Sequence, residues 1–278
     1  MAELAELDAA PEAIEAELAY LANDGDKLVT LVARPGGRDE RIGGGAAETH
    51  RVRLHNGRPL ADRFVFEREG FRFVPHRSQM MNFFDDDEVH RVYYPECEAL
   101  IKLVSGARRV VVFDHTLRTA SDAQRERMQI RDIVSRVHND YTEWSGPQRV
   151  RDLMGDAAAE LLRGRFAIIQ VWRPINHPVE SHPLAICDAQ TVRPESLVVN
   201  ERRYQGRTGQ TYAITYDPAQ RWYWFPRMRP DEALVFKVYE SMRDGRARWT
   251  AHTAFADPSA LPDARPRESI EIRTLAFF

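Results

Sequence analysis

His138 and Asp140 stand two positions apart in "VHNDYT" (137–142), a spacing at which an extended chain can offer two ligands to one ion. Side chains at i and i+2 of a strand project to the same side, so this imidazole and this carboxylate can approach a single cation. A mononuclear iron centre that activates oxygen needs two neutral imidazoles and one carboxylate on one face of the metal, with the other positions open. A His-x-Asp pair alone is a weak signal. Its meaning depends on whether a second imidazole arrives from elsewhere.

The chain has nine histidines. His50, His55 and His76 fall near turns of a strand-rich region and read as solvated, while His90 sits in a helical stretch beside Arg91. His177 and His182, among the prolines of "INHPVESHPL", can line a cleft. His252, at the end of the strand-like "RWTAHTAF", is the leading third ligand, and His115, near the end of the strand before the motif, is the alternative. Fifteen residues after His252 a last strand opens with Arg267-Glu268-Ser269. Its period of two puts Arg267, Ser269, Glu271 and Arg273 on one face and Ile270, Ile272 and Thr274 on the other. A planar guanidinium beside a hydroxyl suits a carboxylate such as the distal end of 2-oxoglutarate. Arg267 with Ser269 is expected to bind it; Arg273 either holds the other end or pairs with Glu271. The order H-x-D, remote histidine, R-x-S is far more specific than its first piece.

The elements that must position these residues are mostly strands. Residues 11–22 carry Ile14, Leu18 and Leu21 at helical spacing and predict a short amphipathic helix. "KLVTLVARPGG" reads as a strand with a Pro-Gly-Gly stop, "HNG" (55–57) as the turn of a hairpin, and Glu69-Gly70 as a further turn. Residues 87–105 predict a helix stopped by Gly106, "RRVVVFDHTLR" a strand, and residues 122–136 a helix. An amphipathic stretch after the motif precedes the buried strand "FAIIQVWRPIN". Seven short runs follow: "LAICDAQTV", "SLVVNERRY", "QTYAITYD", "RWYWFPR", "EALVFKVYES", "ARWTAHTAF" and "SIEIRTLAFF". Closely spaced short strands imply a sandwich or barrel rather than βαβ units. The expectation is a mainly β fold with flanking helices, a jelly roll. It forms a single domain over 1–278, in which a strand-rich extension (1–85) packs on a jelly-roll core (86–278).

Hydrophobic residues make up 43% of the chain and charged residues 29%, ordinary for a globular protein. The net charge of −3 is spread rather than blocked, which argues against nucleic-acid and membrane-surface partners. Cys97 and Cys187 sit in no metal or redox spacing. The acidic start lacks the character of a signal peptide, and no stretch reaches the roughly 20 apolar residues of a membrane span. A cytoplasmic location is expected.

At this point the sequence resembles the CmcJ/asaB-type (NvfI-like) family of non-haem Fe(II)/2-oxoglutarate-dependent hydroxylases and desaturases. The similar stretches are "YYPECEALIKLVSGARRVVVFDHTLR" (93–118), "VHNDYT" (137–142), "SGPQRVRDL" (145–153), "QVWRPI" (170–175), "PLAICDAQTV" (183–192) and "PRESIEIRTLAFF" (266–278). The resemblance as a whole extends from about residue 60 to residue 278. The resemblance implies a cupin-like double-stranded β-helix and iron held by His138, Asp140 and His252. It further implies 2-oxoglutarate held by Arg267 with Ser269 and Arg273 in support, and O2 as second cosubstrate. The reaction implied is hydroxylation or desaturation of a small molecule of secondary metabolism, with succinate and CO2 released. Many fungal members read HVDQ or HVDY where this chain has His138-Asn139-Asp140-Tyr141. Asn139 is expected to point away from the metal, so the departure touches the surroundings of the triad. A homo-oligomer or a partner enzyme of the same pathway is compatible with the family. A non-catalytic accessory protein on the same fold and a non-redox metal hydrolase stand as alternatives.

Four further residues are candidates for the substrate's surroundings. Arg118 either faces the cosubstrate or is an ordinary paired arginine. Tyr141 and Trp144 neighbour the motif and are candidates for the cleft wall. Trp172, on a buried strand, is a contact or a core residue.

Overall fold

The run "ESIEIRTLAF" shows how strand parity builds this protein. In the computed structural model, which describes residues 10–22, 24–34, 37 and 39–278, it is the last of sixteen strands. These are β1 (Ala13–Leu21), β2 (Leu28–Leu31), β3 (Glu40–Gly43), β4 (Ala47–Asn56), β5 (Phe71–Pro75), β6 (Arg109–Thr119), β7 (Arg131–Asp132) and β8 (His138–Asn139). There follow β9 (Phe166–Pro174), β10 (Leu184–Cys187), β11 (Leu197–Tyr204), β12 (Arg207–Ile214), β13 (Trp222–Trp224), β14 (Glu232–Glu240), β15 (His252–Ala254) and β16 (Glu268–Phe277). The smaller sheet runs β5-β14-β9-β16-β6-β7, and the larger runs β1-β4-β13-β10-β15-β8-β12-β11-β2-β3. Each of the seven runs read as strands after residue 183 contains a strand, though "LAICDAQTV" is strand only over Leu184–Cys187 and "ARWTAHTAF" only over His252–Ala254. The architecture is the expected double-stranded β-helix.

The two sheets close on a shared core. From the smaller sheet come Phe166, Ile168, Trp172, Leu234 and Phe236; the larger contributes Ile186 and Tyr223. The alternate residues Ala167, Ile169, Val171, Val235, Ile270 and Ile272 face outward, onto Cys97, Leu100 and Ile101 of helix α1 (Tyr94–Ser105). This double covering explains why β9 and β14 are buried at every position. Helix α1 follows a π-turn at Val89–Tyr93 and ends at Gly106, whose φ of 75° suits a residue without Cβ. The strands of the first 85 residues join both sheets: β4 runs parallel to β13, and β5 pairs with β14. Residues 1–9 of that region, and Pro35-Gly36 of the predicted strand stop, lie outside the described residues.

Three local expectations are corrected. Residues 13–21 form β1, not a helix. Its buried Ala16, Leu18 and Tyr20 against exposed Glu15 and Glu17 obey a period of two, and β4 pairs with it along its whole length. A continuous partner outweighs weak helical propensity. "HNG" does not turn a hairpin, because β4's partner precedes it and the chain leaves Gly57 into a 3-10 turn at Arg58–Arg63. The helix predicted over 122–136 is α2 (Asp122–Met128), stopped by left-handed Gln129 (φ 53°) and followed by β7.

Candidate active site

β8 is only two residues long, yet it carries the first motif residue into the larger sheet between β15 and β12. His138 is the direct cross-strand partner of His252, so the two rings meet with centroids 4.3 Å apart. His138 Nε2 lies 3.4 Å from Asp140 Oδ1, and one ligand atom from each of His138, Asp140 and His252 lies within 4.8 Å of the other two. Each imidazole is oriented in the same way. His138 Nδ1 donates to the carbonyl of Arg136 (2.8 Å) and His252 Nδ1 to that of Thr250 (3.0 Å). A carbonyl can only accept, so Nδ1 carries the proton and Nε2 keeps its lone pair. His252 Nε2 is buried without a hydrogen-bond partner.

The charges fit that arrangement. Burial, then the neighbouring His138, pushes His252 down to about 3 and keeps it neutral. Burial alone would raise Asp140, but the adjacent His138 and the Arg273 guanidinium hold its carboxyl well below the usual range. Gln170, on the inner face of β9, donates Nε2 to Asp140 Oδ2 at 2.5 Å, and Arg273 Nε stands 3.5 Å from the same oxygen.

Asn139 points away from this group, as expected, and is fully buried. Its Nδ2 donates to the carbonyls of Tyr141 (2.8 Å) and Val238 (2.9 Å), and its Oδ1 accepts from Thr250 N (3.1 Å). The amide thus staples the H-x-D loop to β14 and to the segment that carries His252. A valine in its place makes none of these bonds.

A second polar group lies on β16 and just before it. Arg267 and Ser269 are each 1% exposed. Arg267 Nη1 donates to the carbonyl of His182 (2.7 Å) and its guanidinium covers Trp172 at 5.4 Å, yet its Nε and the Ser269 hydroxyl have no partner. Arg267 makes no ion pair among the described residues; burial and the charge of Arg118 push it down to about 9. Arg273 is the opposite case, with Asp114 at 3.0 Å, Glu271 in direct contact and Thr116 Oγ1 at 2.7 Å. Arg118 donates to the carbonyl of Asp132 (2.9 Å) and stands electrostatically against both Arg267 and His252.

A cavity of about 810 Å³ opens onto these residues, lined by His138, Asp140, Arg118, Arg273, Tyr141 and Trp144 among others. Tyr141 is buried in its wall and Trp144 is exposed at the rim. His252, Arg267 and Ser269 sit behind the lining, and Trp172 is a core residue that backs Arg267.

Comparison with known proteins adds the family. A family model described as "YDMC: Oxidoreductase/YMDC permease-like domain" matches residues 18–277. The Fe(II)/2-oxoglutarate-dependent dioxygenase nvfI of Aspergillus novofumigatus is 34% identical over 82% of this chain and 83% of its own. The hydroxylase/desaturase CTB9 of Cercospora beticola is 31% identical over 89% of this chain and 84% of its own. The solved structure of the iron and alpha-ketoglutarate-dependent endoperoxidase NvfI matches with a TM-score of 0.85 at 30% identity, covering 96% of this chain and 99% of that one. The chain belongs to this family of Fe(II)/2-oxoglutarate-dependent oxygenases. It is a dioxygenase that uses Fe(II), 2-oxoglutarate and O2.

The residues present fit that cofactor set. A lone-pair nitrogen buried without a partner at His252 suits a metal, and the unpaired Arg267 Nε and Ser269 hydroxyl suit a carboxylate. His115 is elsewhere. It pairs across β6 with Ile272, on the face toward α1, where Tyr94 OH meets its Nδ1 at 3.0 Å and Asp86 its Nε2 at 3.4 Å. Gln170 and Asn139 contribute through partners that the sequence does not name. Their signal was an amide inside an apolar strand and one inside the motif, since a buried amide needs partners. Among the described residues no helix is long and apolar enough to cross a membrane.

Proposed function

We propose that His138, Asp140 and His252 hold the Fe(II), that Arg267 and Ser269 hold the distal carboxylate of 2-oxoglutarate, and that the cavity presents a small organic molecule for hydroxylation or desaturation at an unactivated C–H bond. Bound iron with its keto-acid cosubstrate supplies the activation of O2, with 2-oxoglutarate leaving as succinate and CO2. The protein's own part is orientation. The Arg136 and Thr250 carbonyls fix both imidazole tautomers, and Gln170 restrains the second oxygen of Asp140. Arg267 is favoured over Arg273 for the cosubstrate because Arg273 already has carboxylate partners. Arg118 adds positive charge near the cosubstrate, and Tyr141 and Trp144 wall the substrate's entrance. The printed activities of the relatives, dioxygenase and hydroxylase/desaturase, support the reaction class.

The observation that carries this reading is the buried, unpartnered Nε2 of His252 facing the His138–Asp140 pair. Protein loaded anaerobically with Fe(II) and 2-oxoglutarate is expected to show a weak visible charge-transfer band, and to turn 2-oxoglutarate over slowly in air. His138→Ala and His252→Ala should abolish both signals. A variant that keeps either one removes its residue from the ligand set.

A further inference from the structure

The charge balance of the cavity points to the class of its substrate. Among the described residues its lining holds eight arginines, five aspartates and neither lysine nor glutamate. The aspartates are already engaged: Asp39 with Arg202 (2.5 Å), Asp114 with Arg273 (3.0 Å), Asp132 with Arg125 outside the lining (3.1 Å), Asp152 with Gln148 (2.7 Å) and Asp140 in the triad. Arg131 and Arg136 make no ion pair among the described residues. Arg41, on β3, packs against Gly45, and its Nη1 is buried without a hydrogen-bond partner.

Arg136 sits two residues before His138 on the wall that leads to the triad, about 7 Å along the chain. Its charge bears on Arg41, a residue of the same lining; burial and that repulsion outweigh the pull of Asp24 and push Arg41 below the usual guanidinium range. Two guanidiniums with a single nearby carboxylate, Asp24 beside Arg41, keep a net positive charge that an anion relieves. The same lining offers Ile133 and Val134 to an apolar body.

We infer that this oxygenase selects organic anions, the substrate's carboxylate or equivalent oxyanion head held by Arg41 and Arg136 while its apolar body reaches toward the triad. The inference rests on the cavity being the substrate site of the proposed enzyme, and the test separates the two. The anaerobic protein with Fe(II) and saturating 2-oxoglutarate is titrated at fixed ionic strength with decanoate and, separately, with decanol, reading perturbation of the visible band. If no band forms, the iron and 2-oxoglutarate reading has failed before the inference is reached. If the band forms, decanoate should perturb it at about tenfold lower concentration than decanol, the gain of one charge-assisted contact. Arg136→Gln should erase that preference. Arg136→Glu, at an exposed position that tolerates substitution, should turn the preference toward decylamine. Equal perturbation by decanoate and decanol, none by either, or loss of the band because decanoate displaces 2-oxoglutarate would overturn the inference.

Discussion

Two groups in this chain have the same composition, two histidines and an aspartate with ligand atoms within 4.8 Å of one another: His138–Asp140–His252 and Asp86–His90–His115. They differ in everything else. In the first, both Nδ1 atoms are tied to backbone carbonyls, Nε2 of His252 is buried without a partner, and a large cavity opens beside it. In the second, Asp86 is 71% exposed, His90 is half exposed, and His115 already has partners at both ring nitrogens. Water competes freely for the exposed aspartate, so nothing leaves a ligand atom unsatisfied. What sets the first group apart from a surface cluster is burial that withholds partners, together with carbonyls that fix the tautomer.

The contrast can be broken or sharpened by substitution. His252→Ala should lower iron-dependent 2-oxoglutarate turnover at least about 100-fold, since losing a ligand outweighs losing its supporting bonds; metal analysis and the visible band check it. Arg267→Gln should raise the KM for 2-oxoglutarate about 30-fold or more, the loss of a buried charge-assisted contact, with bound iron retained. Gln170→Leu should weaken iron affinity about tenfold by freeing the second oxygen of Asp140, read by competition with a chelator. His115→Ala, in the exposed cluster, should leave iron content and turnover within about twofold of the parent. A His115→Ala protein without iron would erase the distinction between the two groups.

The exposed cluster makes a smaller prediction of its own. Burial, against the pull of Asp86, lowers the pKa of His115. The unfolded chain therefore binds the proton more readily, so this contribution to stability is present at neutral pH and is lost as the pH falls below about 6.5. Urea midpoints measured between pH 7.5 and 5.5 should fall less steeply for His115→Asn than for the parent.

How much was legible follows from which signals are local. The parity of β16 is written in "ESIEIRTLAF", where Ile270 and Ile272 face the helix layer and Ser269, Glu271 and Arg273 face inward. The strands after residue 183 were readable for the same reason. β1 was not, because Ile14 and Leu18, four apart, fit either period until β4 supplies a partner. The roles of Asn139 and Gln170 were hidden as well, since an amide in the sequence does not say which distant carbonyl or carboxylate it will meet.

The sequence by itself determined where imidazole and carboxylate groups stand, the two-residue spacing of His138 and Asp140, and that Arg267 and Ser269 share one strand parity. These depend on side-chain chemistry and strand parity, both local properties of the chain. Only the tertiary structure decided between His252 and His115, and between Arg267 and Arg273 as the guanidinium left without a carboxylate. Those outcomes depend on cross-strand register and on burial, which emerge only when distant segments close on one another and shut out water.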